Sequence, residues 1–529
     1  MFTSPHTSTL TITLTSVVDV GDGDEIVRSA EQPPTGWLPA TSRPASPAPH
    51  AVLSSDLGHD ACSPLPSVKK RISLCMIARD EAAMIADCIA SAAGAVDEVV
   101  VVDTGSEDGT AEVARRAGAR VVSFAWRDDF AAARNASIAA ATGDWVLVLD
   151  ADERLAPGAA AAVRTAVRRP SAPAGALRLH DASRLDATAA EVLSGSARLG
   201  EPTDLPRLFR RDPDLAYEGV IHEHVTPWVV RHGRKVMRVE ADIVHLGAVP
   251  ELRNARGKRG RNIALLRRRC QDDPLDFDAA GYLAQELYME GAFEEAWRVV
   301  EEVWQRRATP SPVGTHRLAV ARAILARRAH MPDEMLETVA DQEQRNGPHP
   351  ELAFLRGCAL EEKAAAEPAR SPGRTGRLEE AEAAYRTALA DFPNRLFDSL
   401  RGARSWLSHT QLGTVLLLLG RPAQAAEAFQ AALHAQPGHR EAELGLAEVD
   451  LAEGRPLAAL RRLEPMLGKV RDAWWLAACA ATDLGSAPDA KLFFSRALAD
   501  RDGVKAWHRA EAMAAAAARA APPGQETAV

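Results

Sequence analysis

Short apolar runs alternate with helical spacing along the first ordered part of the chain. The predicted strands are Ile72–Ala78, 98–102, 120–124 and 144–149. The predicted helices between them are 81–93, 108–117 and 129–141. Because strands and helices alternate with short connections, we expect a parallel sheet with helices on both faces. Such sheets bind their ligands at the carboxyl ends of the strands.

A helical repeat pattern follows from about Asp276. The tripeptide Gly-Arg-Pro begins at Gly420 and again at Gly454, 34 residues later, and 34 residues is the tetratricopeptide period. A repeat that starts at Trp406 places small and large residues in the expected order at Leu412, Gly413, Gly420, Ala425, Phe429, Ala432 and Pro437. An ordinary Ala-rich helical bundle is the alternative. The repeated offset favours an all-α solenoid of tetratricopeptide type.

The composition of the remaining segments completes the predicted domain order. Residues 1–69 are rich in Ser, Thr, Pro and Gly, a composition that cannot bury a core, so we predict that they are disordered. The predicted units are a disordered segment (1–69), an α/β domain (70–250), a basic linker helix (251–275), helical repeats (276–515) and a flexible tail (516–529).

Charge and cysteine content exclude several classes of protein. The 529 residues include 63 Lys and Arg against 72 Asp and Glu, a net charge of −9, so we expect no nucleic-acid partner. No stretch approaches the roughly 18 apolar residues of a membrane helix, so no transmembrane segment is expected. None of the six cysteines forms a CxxC pair, which indicates reduced thiols and a cytoplasmic location.

Carboxylates follow two of the predicted strands. Asp103 ends the second strand, and Asp150 and Asp152 follow the fourth. Two carboxylates at a strand end can hold Mg²⁺ or Mn²⁺, although a D-x-D triplet also occurs in ordinary acidic turns. Asp103 is either a turn residue or an acceptor for a base or ribose. Arg134, on the third helix, contacts nucleotide phosphates or pairs with a surface carboxylate.

The motifs together resemble the amino half of a family 2 glycosyltransferase with the GT-A (Rossmann-like) fold. The segments that carry the resemblance are SLCMIARDE, VVVVDTGSEDGT, AARNASI and GDWVLVLDADE. The later segments PRLFRRDPDLAYEGVIHEHV and IVHLG resemble the branch of lipopolysaccharide-core glucosyltransferases and peptide S-glycosyltransferases. Asp80 departs from the family, where many relatives carry Asn, and this leaves the base of the donor open.

The resemblance implies an inverting transfer of a sugar from a nucleotide-diphosphate donor, with a UDP-sugar favoured. It assigns a divalent metal, Mn²⁺ or Mg²⁺, to Asp150 and Asp152, and His245 joins the metal or the diphosphate unless it is a structural histidine. The residues implied to bind the nucleotide sugar are Glu81, Asp103, Arg134 and Asp150.

The general base is expected in the segment YEGVIHEHV, and Glu223 is the first choice by its order along the chain. Glu218, His222 and His224 are the other candidates for the base. A charged turn or helix start without a catalytic role is the alternative for the whole segment. The HEH cluster lacks the H-E-x-x-H spacing of a zinc metalloprotease.

The acceptor is left open by the sequence. The repeats predict a concave surface that recruits a protein or peptide acceptor or a partner, and a glycan acceptor stays an alternative. The alternative function is an interaction scaffold with a degenerate glycosyltransferase domain; a nucleotidyltransferase ranks last. Residues 253–269 are rich in basic side chains. A solvated linker helix is favoured there over contact with the diphosphate, an anionic acceptor or a membrane surface.

Overall fold

The computed structural model describes residues 70–168, 173–225, 228–229, 236–249, 251–252, 258–308, 314–390, 400–499 and 506–520. An α/β domain comes first and helical pairs follow it, which confirms the predicted fold class. The disordered segment predicted for residues 1–69 lies outside the described residues. None of the helices in the described part of the chain combines the length and the apolar character needed to span a bilayer.

The strands of the α/β domain form one sheet. They are β1 (Ile72–Ala78), β2 (Glu98–Asp103), β3 (Arg120–Ser123), β4 (Trp145–Val148), β5 (Glu153–Leu155), β6 (Ala174–Asp181), β7 (Thr203–Arg210) and β8 (Val236–His245). Their order in the sheet is β3-β2-β1-β4-β7-β6-β8-β5. The strands β1 to β4 pair in parallel, as predicted. The other half is mixed, because β7 runs antiparallel to both of its neighbours, β4 and β6.

Short helices cover the sheet. They are α1 (Ile85–Ser91), α2 (Thr110–Arg116), α3 (Phe130–Ala140), α4 (Ala159–Ala166) and α5 (Ala189–Ser194). Helix α1 begins later than the predicted residue 81, and side chains at the start of α2 hold the turn that precedes it. The amide of Glu81 donates to Thr110 Oγ1 (2.7 Å) and the amide of Ala82 donates to Asp108 Oδ2 (2.9 Å).

Helices that pack against their neighbours in the chain make up the rest of the described residues. They are α6 (Lys258–Asp272), α7 (Phe277–Glu290), α8 (Phe293–Trp304), α9 (Thr315–Arg328), α10 (Pro332–Asn346), α11 (Pro350–Ala365), α12 (Pro372–Leu389), α13 (Trp406–Leu418), α14 (Pro422–Ala435), α15 (Arg440–Ala452), α16 (Pro456–Leu463), α17 (Arg471–Asp483), α18 (Ala487–Ala499) and α19 (Trp507–Ala520). Helix α6 lies in the predicted linker. Helix α19 extends to Ala520, into the segment 516–529 that we predicted to be a flexible tail, and the residues after Ala520 lie outside the described range.

Small residues explain how the repeat helices approach each other. Gly420 ends its helical turn at a φ of 73°, and Pro422 opens the next helix. Phe429 of α14 is fully buried. A Cβ on Gly413 would fall 2.6 Å from the Phe429 ring, and a Cβ on Gly445 would come closer still. Helices α13 and α15 therefore pack against one aromatic ring because both carry glycine at the contact.

Candidate active site

A cavity of about 210 Å³ opens at the carboxyl ends of β1, β2 and β4. Ala78, Thr104 and Asp150 mark these three ends on its wall. The sequence-predicted site residues that line it are Glu81, Arg134, Asp150, Asp152, Glu223 and His245. They come from segments more than 160 residues apart in the chain, and the fold brings them together.

Arg134 joins two of the predicted carboxylates. It projects from α3, whose first turn is capped by the Asp129 carboxylate, which accepts from the Ala132 amide at 2.8 Å. Arg134 Nη2 donates to Asp150 Oδ1 at 2.9 Å, and its Nε forms an ion pair with Glu223 Oε1. Arg134 is only 6% exposed, so it is part of the site's framework and is not a surface residue.

A second arginine fixes the acidic turn after β4. Arg207 of β7 donates to Glu153 Oε1 at 2.5 Å and to Asp150 Oδ2 at 3.3 Å. Glu153 is fully buried and accepts the Asp150 amide through its other carboxylate oxygen. Burial would raise the pKa of Asp150, but the charges of Arg134 and Arg207 hold that pKa below its usual range. Burial raises the pKa of Glu153 despite its arginine partner.

His245, at the end of β8, faces two aspartates. Its Nε2 lies 3.8 Å from Asp152 Oδ1, and its Nδ1 lies 2.7 Å from Asp181 Oδ1. Burial alone would lower the pKa of His245, but the hydrogen bond to Asp181 and the charge of Asp152 raise it to about 10. Asp181 also pairs with Arg401 of the helical region. Burial would raise the pKa of Asp181, and the Arg401 charge instead holds it below its usual range.

Gly247 keeps the space between Asp152 and His245 open. A Cβ on this glycine would fall 2.6 Å from His245 Nε2 and closer still to Asp152 Oδ2. A carboxylate and an imidazole nitrogen that converge beside a residue without a side chain are a fitting donor set for a divalent cation. Both oxygens of Asp150 are instead engaged by arginines. The residues present therefore fit a divalent cation, which Asp152 and His245 would hold.

The four candidates for the general base are placed differently. Glu223 and His222 line the cavity, whereas Glu218 and His224 are not among its lining residues. Glu218 and His224 pair through their backbones in a short bridge. His222 stacks on Tyr282 of α7 with ring centroids 3.8 Å apart. Burial and the nearby cations Arg317 and Arg269 lower the pKa of His222 to about 3.

Asp103 lies at the end of β2 as predicted, but its carboxylate turns into its own loop. Its Oδ1 accepts from the amide and the hydroxyl of Ser106, at 3.1 and 2.5 Å. The neighbouring Thr104 lines the cavity in its place. A role for Asp103 in binding a nucleoside stays a prediction.

Several lining residues were missed by the sequence analysis. Trp126 and Phe130 meet edge to face at 4.8 Å and form an aromatic wall. Arg261 and Asn262 of α6 also line the cavity, and the Arg261 guanidinium lies 5.2 Å from the Phe130 ring centroid. Asn262 is only 4% exposed, which contradicts the preferred interpretation of residues 253–269 as a solvated linker at that position, whereas Arg261 is exposed. In the sequence, the cluster of basic residues at 253–269 was the one sign that this segment contacts the cavity.

Two family models match parts of the chain. Residues 73–198 match the model of glycosyl transferase family 2, and residues 416–482 match a tetratricopeptide repeat model. The chain carries a family 2 glycosyltransferase domain followed by tetratricopeptide repeats. This confirms the predicted family and repeats. The match of the glycosyltransferase domain includes β1, β2 and the acidic turn after β4.

Proteins of similar sequence are named as glycosyltransferases or as tetratricopeptide repeat proteins. A TPR repeat-containing protein of Synechococcus elongatus is 35% identical over 266 residues, which is 49% of this chain and 62% of that protein. An uncharacterized glycosyltransferase of Rickettsia felis is 38% identical over 86 residues, 16% of this chain and 30% of that protein. The SPbeta prophage-derived glycosyltransferase SunS of Bacillus subtilis is 24% identical over 224 residues, 42% of this chain and 50% of that protein. The chain spans less than two thirds of the length of each of these relatives.

Proposed function

We propose that the protein is a metal-dependent, inverting glycosyltransferase that uses a nucleotide-diphosphate sugar, with a UDP-sugar favoured. One observation carries the proposal: Asp150, Asp152, Glu223 and His245 line a single cavity at the carboxyl ends of the parallel strands. In open α/β sheets this edge is where ligands bind. The family of the domain supports the same reaction.

The cavity walls suit a nucleotide sugar. Trp126 and Phe130 offer aromatic surface for a base or a sugar ring. Arg79 and Arg261 on the wall offer positive charge to a diphosphate. Arg134 adds to this charge although it already pairs with Asp150 and Glu223. Glu81 lies on the same wall. We keep Glu81, Asp103, Arg134 and Asp150 as the proposed binding residues.

Asp152 and His245 would hold the metal, Mn²⁺ or Mg²⁺, beside Gly247. Asp150 would add its negative charge to the same site. A bound divalent cation would neutralise the charge that develops on the departing diphosphate. The two arginines on Asp150 support the turn that carries Asp152, so the ligand geometry would be set before the donor binds.

Glu223 is the proposed base. Its carboxylate would accept the proton of the acceptor as the acceptor atom bonds to the anomeric carbon, and the electron pair of the breaking bond would leave with the diphosphate. Displacement in one step from the opposite side inverts the anomeric carbon. The Arg134 ion pair holds the Glu223 carboxylate in the cavity.

The helical repeats are proposed to recruit a protein or peptide acceptor, or a partner that presents one. Solenoids of paired helices offer extended concave surfaces for such segments. We place the reaction in the cytoplasm, where thiols stay reduced. The five cysteines in the described part of the chain are free, which agrees with that location.

Thermal unfolding of the full chain with nucleotide diphosphates and their sugars tests the proposal. A ligand that binds the folded state raises the melting temperature by mass action. We expect a rise with a UDP-sugar that requires Mn²⁺ and disappears in Asp152→Asn. Asp87→Asn is the matched control, because its side chain is 79% exposed and lies outside the cavity. Absence of a shift with every nucleotide would favour the interaction scaffold.

A further inference from the structure

A buried carboxylate connects the helical region to the proposed metal site. Asp181, at the end of β6, is only 2% exposed. Its Oδ1 lies 2.7 Å from His245 Nδ1, and its Oδ2 forms an ion pair with Arg401 Nη2. Arg401 lies 220 residues further along the chain, in the turn before α13. One carboxylate therefore contacts both a proposed metal ligand and the helical region.

The α/β domain leaves room for the arginine. Gly200 lies beside the Arg401 stem with a φ of 63°, and a Cβ there would fall 2.9 Å from Arg401 Cδ. The Arg401 side chain is 19% exposed and that of Asp181 is 3% exposed, so their contact is shielded from water. Shielding of this kind makes a charged hydrogen bond stronger than the same contact on the surface.

The contact decides which way the imidazole faces. Because His245 Nδ1 is bound to Asp181, its Nε2 is directed to the space shared with Asp152 and Gly247. Arg401 binds the second oxygen of Asp181, so the carboxylate cannot rotate without losing a charged partner. Groups that hydrogen-bond to a ligating histidine commonly set metal affinity in this way.

We propose that Arg401 is a positioning residue for His245, so that the helical region sets the divalent-cation affinity of the glycosyltransferase domain. This inference rests on the proposed metal site. It gives the helical region a role in the site that is separate from recruitment of an acceptor.

Titration of Mn²⁺ into the full chain, followed by the electron paramagnetic resonance of free Mn²⁺, tests the inference without any turnover. We expect Arg401→Gln to weaken Mn²⁺ binding about tenfold, the lower end of the usual effect of a residue behind a ligand. Arg401→Lys, which keeps the charge, should restore part of the affinity. The control is Arg421→Gln, which removes an exposed ion pair to Glu382 elsewhere in the helical region and should bind as wild type.

The double variant Arg401→Gln with His245→Gln separates positioning from general damage. Residues that act through one another are not additive, so the double variant should bind no more weakly than His245→Gln alone. Gly200→Ala, which pushes on the arginine stem, is the substitute if Arg401→Gln does not fold.

Three results would overturn the inference. If Arg401→Gln binds Mn²⁺ as tightly as wild type and only melts at a lower temperature, the Arg401–Asp181 ion pair stabilises the fold and does not position His245. Full additivity in the double variant would show that Arg401 acts apart from His245. A wild-type chain that binds no Mn²⁺ would overturn the proposed metal site together with this inference, whereas the first two results leave the proposed function intact.

Discussion

Substitution of Gly247 by alanine tests the proposed position of the metal. The new Cβ would lie 2.6 Å from His245 Nε2, whereas contacts under 3.0 Å are essentially never seen for a real Cβ and ordinary contact begins at 3.4 Å. The gap between the new Cβ and His245 Nε2 must therefore widen by about 0.4 to 0.8 Å, and the closer contact with Asp152 Oδ2 must widen by more. Ligands have to stay within about 0.5 Å of a productive geometry. We expect Mn²⁺ affinity to fall at least tenfold, the scale seen when ligands are misplaced.

The overall stability of Gly247→Ala should fall by about 1 to 3 kcal/mol, as for other insertions of a methyl group into packed structure. The assay is calorimetric titration of Mn²⁺, with urea unfolding of the same samples. Gly376→Ala is the matched control, since it adds the same methyl group within α12 and a Cβ there meets nothing within 4 Å. If Gly247→Ala binds Mn²⁺ like wild type, the space between Asp152 and His245 is not where the metal lies.

Three further outcomes are expected. Glu223→Gln should lower kcat by a factor of about 10² to 10⁴, the usual contribution of a general base. The rise in melting temperature with the donor should be retained, and loss of donor binding in this variant would contradict the assignment of Glu223 as the base. Phe429→Ala should lower the free energy of unfolding by about 3 to 5 kcal/mol, because the ring is fully buried between two helices. Urea unfolding measures this loss, and a loss under 1 kcal/mol would show that the helices repack around the smaller side chain. Burial would raise the pKa of Glu448, but the Arg509 charge lowers it to about 2. The stability that Glu448 adds is therefore complete above about pH 5 and is lost as the pH falls towards 2. As the pH falls across this range, the midpoint of urea unfolding should decline less in Arg509→Gln than in wild type. An equal decline in both proteins would refute the ion pair of Glu448 with Arg509 as its cause.

Much of the fold could be predicted from pattern alone. The β-branched run that forms β2 and the 34-residue spacing between Gly420 and Gly454 are local signals, and both specify their element without reference to distant residues. The acidic turn after β4 was also recognisable, because its place at a strand end follows from the order of strands and helices.

The contacts between distant segments could not be predicted in this way. Asp181 lies in a stretch without a recognisable motif, and its two partners are 64 and 220 residues away. Arg207 stands in a segment that was noticed only for its resemblance, and its bond to Glu153 depends on β7 lying beside β4. An antiparallel strand between parallel ones leaves no periodic signal, so these ion pairs become visible only in the structure.

The helical region also supports the proposed base, through contacts separate from Arg401. Arg269 of α6 donates to the carbonyl of Ile221 at 2.8 Å, and Tyr282 of α7 stacks on His222. Both contacts fall on the residues that come directly before Glu223, in a segment without helix or strand of its own. Loops place catalytic groups less accurately than regular elements do, so this one depends on its neighbours in α6 and α7. An isolated α/β domain would keep the Arg134 ion pair to Glu223 but would lose the contacts of Arg269 and Tyr282 with the preceding residues. We therefore expect the proposed base to need both the α/β domain and the first helical pairs.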